Sequence, residues 1–252
     1  MSQIMINDLT FSYDTVYDNI FEHVSFMIDT DWRLGFIGRN GKGKTTFLNL
    51  LLRKYEYQGS ITASVNYDYF PFEVSNPEIN TLELIKDTIA PFSSWEIEMK
   101  ECLRKQEGGA DLPAMDRYGQ LLDLYQVQDG FIIEELIEKE LGRLQVDASV
   151  LERPFSTLSF GERTKVMLAA LFLKKNNFLL IDEPTNHLDM EGRAALADYL
   201  RTKKGFILVS HDRAFLDQCI DHVLSINRAD IEVMKGNYTT WRENKDRRTG
   251  RI

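Results

Sequence analysis

A chain of 252 residues, 43% hydrophobic and 27% charged, can bury one substantial core, with room for a smaller appended part. Its net charge of −9 argues against a broad nucleic-acid-binding surface, which works by neutralising phosphates, and leaves open only a local basic patch. No apolar run is long enough to cross a bilayer, no signal-type leader precedes the first strand, and two distant cysteines, Cys102 and Cys219, make no disulfide framework, so a cytoplasmic protein is expected.

From Gln3 to Leu34 apolar and polar residues alternate, Ile4, Ile6 and Leu9 first and Val24, Phe26 and Ile28 later, which predicts antiparallel strands. The apolar run Leu34-Gly35-Phe36-Ile37 then leads into Gly38-Arg39-Asn40-Gly41-Lys42-Gly43-Lys44-Thr45, and Thr46 to Leu52 reads as a helix. Gly59 to Phe70 is strand-like again and is stopped by Pro71. The period then changes to that of a helix: Leu82, Ile85 and Ile89 behind a cap at Asn80 or Thr81, Leu121 to Tyr125 in a second helix, and Ile132 to Leu141 in a third, with acids on its other face. Gly108-Gly109 interrupts this stretch, so a helical hairpin or small bundle is expected between residues 80 and 150.

The last third returns to alternation of strand and helix. Leu158-Ser159-Phe160-Gly161-Glu162 precedes a helix over residues 163–174. Phe178 to Ile181 and Phe206 to Val209 are short, continuously apolar runs, as buried parallel strands are. The predicted fold is α/β, a mainly parallel sheet of the P-loop type with an antiparallel β part and a helical lobe. Its predicted divisions are residues 1–79, 80–150, 151–235 and a basic tail, 236–252, with Arg242, Lys245, Arg247, Arg248 and Arg251.

The glycine-rich stretch fits G-x-x-x-x-G-K-[ST] in the strand–loop–helix setting that such a phosphate cradle requires. Glycines let backbone N–H groups point inward, and the helix N-terminus adds positive charge. The candidate nucleotide-binding set is therefore Gly38, Asn40, Gly41, Gly43, Lys44, Thr45 and Thr46, with Lys44 on the β- and γ-phosphates and Thr45 offering a hydroxyl to Mg²⁺. Each of the two buried strands also ends in polar residues, Asp182-Glu183 and Ser210-His211-Asp212, at the edge where open parallel sheets bind ligands. Asp182 is the expected second anchor for Mg²⁺, and Glu183 the carboxylate that polarises an attacking water. His211 either holds the γ-phosphate or plays the structural part a lone histidine more often has. Ser159 and Gly161 at a helix start make a second anion site, or simply a helix cap.

Taken together these segments resemble an ABC-type ATPase from about Ser2 to Asn244. Gly38 to Thr45 is similar to Walker A, Phe178 to Glu183 to Walker B with its glutamate, Leu158 to Glu162 to the LSGGQ-type signature, His187-Leu188-Asp189 to the D-loop and His211 to the switch histidine. The resemblance implies ATP and Mg²⁺ as ligands, Tyr13 stacking on adenine, and Ser159 and Gly161 reaching an ATP held by a second ABC domain. Glu183-Pro184-Thr185-Asn186-His187-Leu188-Asp189, Ser210 to Leu216 and Gly236-Asn237-Tyr238 resemble the ABC-F class. Members of that class are soluble, carry two ATPase domains and act on ribosomes. Two spans, Trp32 to Asn40 and Arg153-Pro154-Phe155, are similar to its antibiotic-resistance branch.

Three departures stand out. Phe72 occupies the Q-loop glutamine position and can neither ligate Mg²⁺ nor position water, so weakened metal coupling is expected. Phe160 replaces the first signature glycine. A single ABC domain is present, so either the basic tail starts a linker to a second one or the chain forms a homodimer. Two competing readings remain: the ATP-binding subunit of a membrane transporter, and a scaffold that binds nucleotide without hydrolysing it.

Overall fold

The computed structural model describes residues 2–13, 18–38, 43–107, 112–227 and 230–248. In chain order the elements begin with β1 (Gln3–Phe11), β2 (Phe21–Asp29), β3 (Arg33–Ile37), α1 (Lys44–Leu51), β4 (Gln58–Thr62) and β5 (Asn66–Phe70). Helices α2 (Thr81–Ile89), α3 (Phe92–Glu107), α4 (Leu112–Val127), α5 (Ile133–Arg143) and α6 (Phe160–Leu173) follow. Then come β6 (Asn177–Asp182), α7 (Met190–Arg201), β7 (Phe206–Val209), α8 (Arg213–Cys219), β8 (His222–Asn227), β9 (Asp230–Lys235) and α9 (Tyr238–Arg248). The chain divides into two compact units: a core unit, Met1–Phe72 with Asn176–Ile252, and a helical unit, Glu73–Lys175.

In the core unit the inward residues of β1 are Ile4, Ile6, Leu9 and Phe11, a spacing that strict alternation cannot give. A register shift between Ile6 and Leu9, with Asp8 at φ 53°, absorbs the extra residue and keeps both side chains inside. Among the described residues the strands form two sheets, an antiparallel one ordered β2-β1-β4 and a second ordered β5-β6-β7-β3-β8-β9. The second is parallel from β5 to β8, and β9 closes it as an antiparallel edge. The strand-like run over residues 59–70 is thus two strands, β4 in the first sheet and β5 at the edge of the second.

Helix α1 belongs to the core that joins these sheets. Phe47 is fully buried, with ring centroids 6.0 Å from Phe21 and 5.8 Å from Phe26 of β2, and 5.5 Å from Phe36 of β3. Leu48, Leu50 and Leu51 bury the rest of that helix face, so α1 is fixed in place by packing rather than by intrinsic propensity. The tail is helical over α9, where Arg248 meets Glu232 at 2.8 Å and Arg242 meets Asp246 at 3.8 Å.

In the helical unit Asn80 is the cap of α2, its side chain accepting from the N–H of Leu82 at 3.0 Å. α2 packs against α6, α5 and α3, and α3 against α4. α3 is a helix that apolar periodicity does not announce, because it buries only Phe92 and Cys102. A charged knot ties these helices together. Lys86 of α2 donates to Glu96 of α3 at 2.9 Å, Tyr125 of α4 donates to the same oxygen at 2.9 Å, and Glu134 of α5 lies 3.5 Å from Lys86. α6 buries Val166 to Leu171 and belongs to this unit. Among the described residues no helix is long and apolar enough to cross a membrane.

Candidate nucleotide site

Strands β6, β7 and β3 are neighbours in the parallel sheet, so their carboxyl ends emerge along one edge. There a cavity of about 260 Å³ is bordered by Gly43, Lys44, Thr45 and Thr46 after β3, by Asp182 and Glu183 after β6, and by Val209 and His211 after β7. Of the sequence-predicted residues, Gly43, Lys44, Thr45, Thr46, Asp182, Glu183 and His211 meet at this one place. Asn40 and Gly41 lie outside the described residues. Gly38 holds the other side of Lys44, whose Nζ donates to its carbonyl at 2.8 Å.

The start of α1 differs from those of four other helices. α2, α6, α7 and α8 are capped by the side chains of Asn80, Ser159, Asp189 and Asp212. α1 begins on Gly43, which has no side chain to offer and sits at φ 96°. Its first-turn N–H groups therefore border the cavity with no side chain of their own cap on them, which suits an anion. Burial holds the Lys44 ammonium below its usual pKa, against the opposing pull of Glu183 and then Asp182.

The acidic side is strained and tightly connected. Glu183 takes φ 49°, an uncommon conformation for a residue with a Cβ, and its N–H is held by the carbonyl of Val209 at 2.9 Å. Its Oε2 accepts from the backbone N–H of His211 at 3.3 Å. Its Oε1 is buried and makes no hydrogen bond among the described residues; His211 Nε2 stands 3.4 Å away, close enough for attraction but not aligned to bond. An orphaned carboxylate oxygen in a polar cavity is an acceptor awaiting a water or a cation.

Oxygens of Thr45, Asp182 and Glu183 are hard ligands, so the residues fit Mg²⁺ together with a polyphosphate. Among the described residues no group of three or more His, Cys, Asp or Glu side chains forms a metal cage.

Tyr13 lies beside the start of α1, its hydroxyl 2.8 Å from the Thr46 hydroxyl and its ring edge-on to Phe11 and Tyr55 at 5.0 and 5.6 Å. Ser159 and Gly161 open α6 in the helical unit. There Ser159 accepts from the N–H of Glu162 at 3.2 Å and donates its own N–H to Glu162 Oε2 at 2.7 Å, a closed capping box. The neighbouring Phe160 is 66% exposed, with the Arg163 guanidinium 5.5 Å from its ring.

Two features escape the sequence. Tyr69 Oη donates to Asp182 Oδ2 at 2.7 Å, a contact that only the pairing of β5 with β6 reveals. A second cavity of about 870 Å³ shares Lys44 and His211 with the first and is walled by Tyr238, Trp241 and Lys245 of α9. The basic content of the tail hints at that wall; its two aromatic residues do not.

Residues 21–186 match the family described as ABC transporter, and the chain belongs to that family as an ABC ATPase domain. It is 32% identical to an uncharacterized ABC transporter ATP-binding protein, YfmM, of Bacillus subtilis, over 96% of this chain and 48% of the relative. It is 30% identical to the energy-dependent translational throttle protein EttA of Escherichia coli, over 91% of this chain and 42% of the relative. The chain thus spans about half the length of the curated relatives it matches. A solved ATP binding subunit of an ABC transporter has the same fold, with a TM-score of 0.66 at 21% identity, covering 96% of this chain and 92% of that one.

Proposed function

We propose that the chain is an ATP-binding and ATP-hydrolysing ABC domain, the first of two in a soluble, cytoplasmic ABC-F factor that acts on the ribosome. The observation that carries the ATPase part is the meeting of Lys44, the uncapped start of α1, Asp182, Glu183 and His211 around one cavity. The ribosomal part draws on Thr185-Asn186-His187 and on the likeness to a translational throttle protein.

In this reading Lys44 and the first N–H groups of α1 receive the β- and γ-phosphates, and Tyr13 carries the adenine. Thr45 and Asp182 would hold Mg²⁺, which when bound neutralises phosphate charge and polarises the γ-phosphoryl group. Glu183 orients the attacking water through the oxygen that no donor among the described residues occupies. His211, already against Glu183, reports the γ-phosphate. Ser159 and Gly161 serve the ATP of a second ABC domain, so nucleotide closes two domains together and hydrolysis releases them.

Glu183→Gln in the full-length protein tests both parts. Turnover is expected to fall by roughly 10²–10⁴-fold with ATP still bound, the range general-base catalysis supplies. The ATP-loaded variant should then co-sediment with ribosomes. Unchanged turnover would refute the catalytic assignment, and co-purification with a membrane permease instead of ribosomes would favour a transporter subunit.

A further inference from the structure

β5 carries two tyrosines on one face, Tyr67 and Tyr69, with different fates. The Tyr67 hydroxyl is buried without a hydrogen-bond partner among the described residues, and burial pushes its pKa up to about 12. Tyr69 instead donates to Asp182 Oδ2 at 2.7 Å. The parallel register sets Tyr69 beside Leu180 and Phe70 beside Ile181, which places the phenol within reach of the last residue of β6. The Tyr69 ring also lies 5.7 Å from Lys54 Nζ, which adds to its fixed orientation.

A carboxylate on a short side chain turns freely about its last bond unless one oxygen is held. Engaging Oδ2 removes that freedom at the residue that borders the cavity beside Thr45. Phe72, three residues after Tyr69, brings no polar group to this strand end. We infer that Tyr69 is a positioning residue that, by donating to one oxygen of Asp182, presets that carboxylate for the Mg²⁺ of bound nucleotide. The inference rests on the nucleotide reading above and adds to it the residue that makes Asp182 competent in the absence of a Q-loop glutamine. It is the role that outer-shell donors play at metal sites generally.

The test is a titration of a fluorescent ATP analogue into the full chain, with Mg²⁺ varied and with EDTA. Four forms are compared: wild type, Tyr69→Phe, Asp182→Asn and the double variant, with Tyr67→Phe as a control for loss of a phenol from the same strand. Tyr69→Phe should keep the affinity measured in EDTA, which also shows that it folds, and should need roughly 10-fold more Mg²⁺ for the same gain in affinity. It should add nothing in the Asp182→Asn background, and Tyr67→Phe should match wild type in both conditions. A wild-type Mg²⁺ dependence in Tyr69→Phe, or an equal loss with and without Mg²⁺, would overturn the inference. Wild-type protein that binds no nucleotide, or binds it indifferently to Mg²⁺, would refute the nucleotide reading itself, and the two failures are told apart by the wild-type curve alone.

Discussion

Gly43 is held to glycine by two separate constraints. Its φ of 96° is open to glycine but strained for any residue with a Cβ, and a Cβ built there would lie 2.7 Å from Ile20 Cγ2 and 3.1 Å from Phe21 Cζ. Phe21 opens β2 and Ile20 immediately precedes it, so the space at Gly43 is bounded by the edge of the antiparallel sheet. Gly43→Ala should therefore cost about 1–2 kcal/mol from the backbone alone, and more from the contact. The first turn of α1 should shift as well, with a loss of ATP affinity. A variant that melts and binds nucleotide like wild type would show that the cradle does not depend on this conformation. Glu183 shows the opposite economy: it keeps a side chain at φ 49°, and the residue that tolerates the strain is the one proposed to orient the attacking water.

Among the elements, the helices of the helical unit are joined by the Lys86–Glu96–Tyr125 knot, which gives them a defined response to acid. Burial alone would raise the pKa of Glu96, but the hydrogen bonds from Lys86 and Tyr125, with the Lys86 charge, outweigh it and hold the carboxyl below its usual value. A carboxyl whose pKa is lower folded than unfolded binds fewer protons in the folded state, so its contribution is complete above about pH 4.5 and is lost as pH falls through the folded value. Urea unfolding followed through Trp95 of α3 should show stability falling in that window, and Glu96→Gln should flatten that part of the pH curve. Identical pH profiles for the two proteins would mean the knot contributes nothing. This knot was not readable in advance, since its members are spread over helices whose meeting the sequence does not specify. The strands β6 and β7 were legible because unbroken apolar runs leave a buried strand few alternatives. So was the polar edge they share with β3. α3 was not legible, because a helix that buries so few apolar side chains has almost no periodic signal. The split of residues 59–70 between two sheets was hidden for another reason: a local run of strand formers does not say which neighbours it will find.

At the scale of the whole molecule, the cavity lies entirely within the core unit, assembled from Met1–Phe72 and Asn176–Ile252, segments that the helical unit separates in sequence. Lys44 comes from the first segment and Asp182, Glu183 and His211 from the second, so a ligand that touches all four stabilises the association of the two halves and has no equivalent site on the unfolded chain. At a concentration of MgATP about 100 times its dissociation constant, such binding adds roughly 2.7 kcal/mol to stability. For a unit of this size that corresponds to a rise in Tm of about 5–10 °C. Trp32 and Trp241 report on the core unit and Trp95 on the helical unit, so variants keeping one tryptophan at a time follow each transition separately. The Trp32 transition should move up with MgATP, and Lys44→Ala should abolish the shift. If the Trp32 transition stays still in nucleotide while the protein is otherwise folded, the four residues do not grip one ligand, and the ATPase reading fails with them.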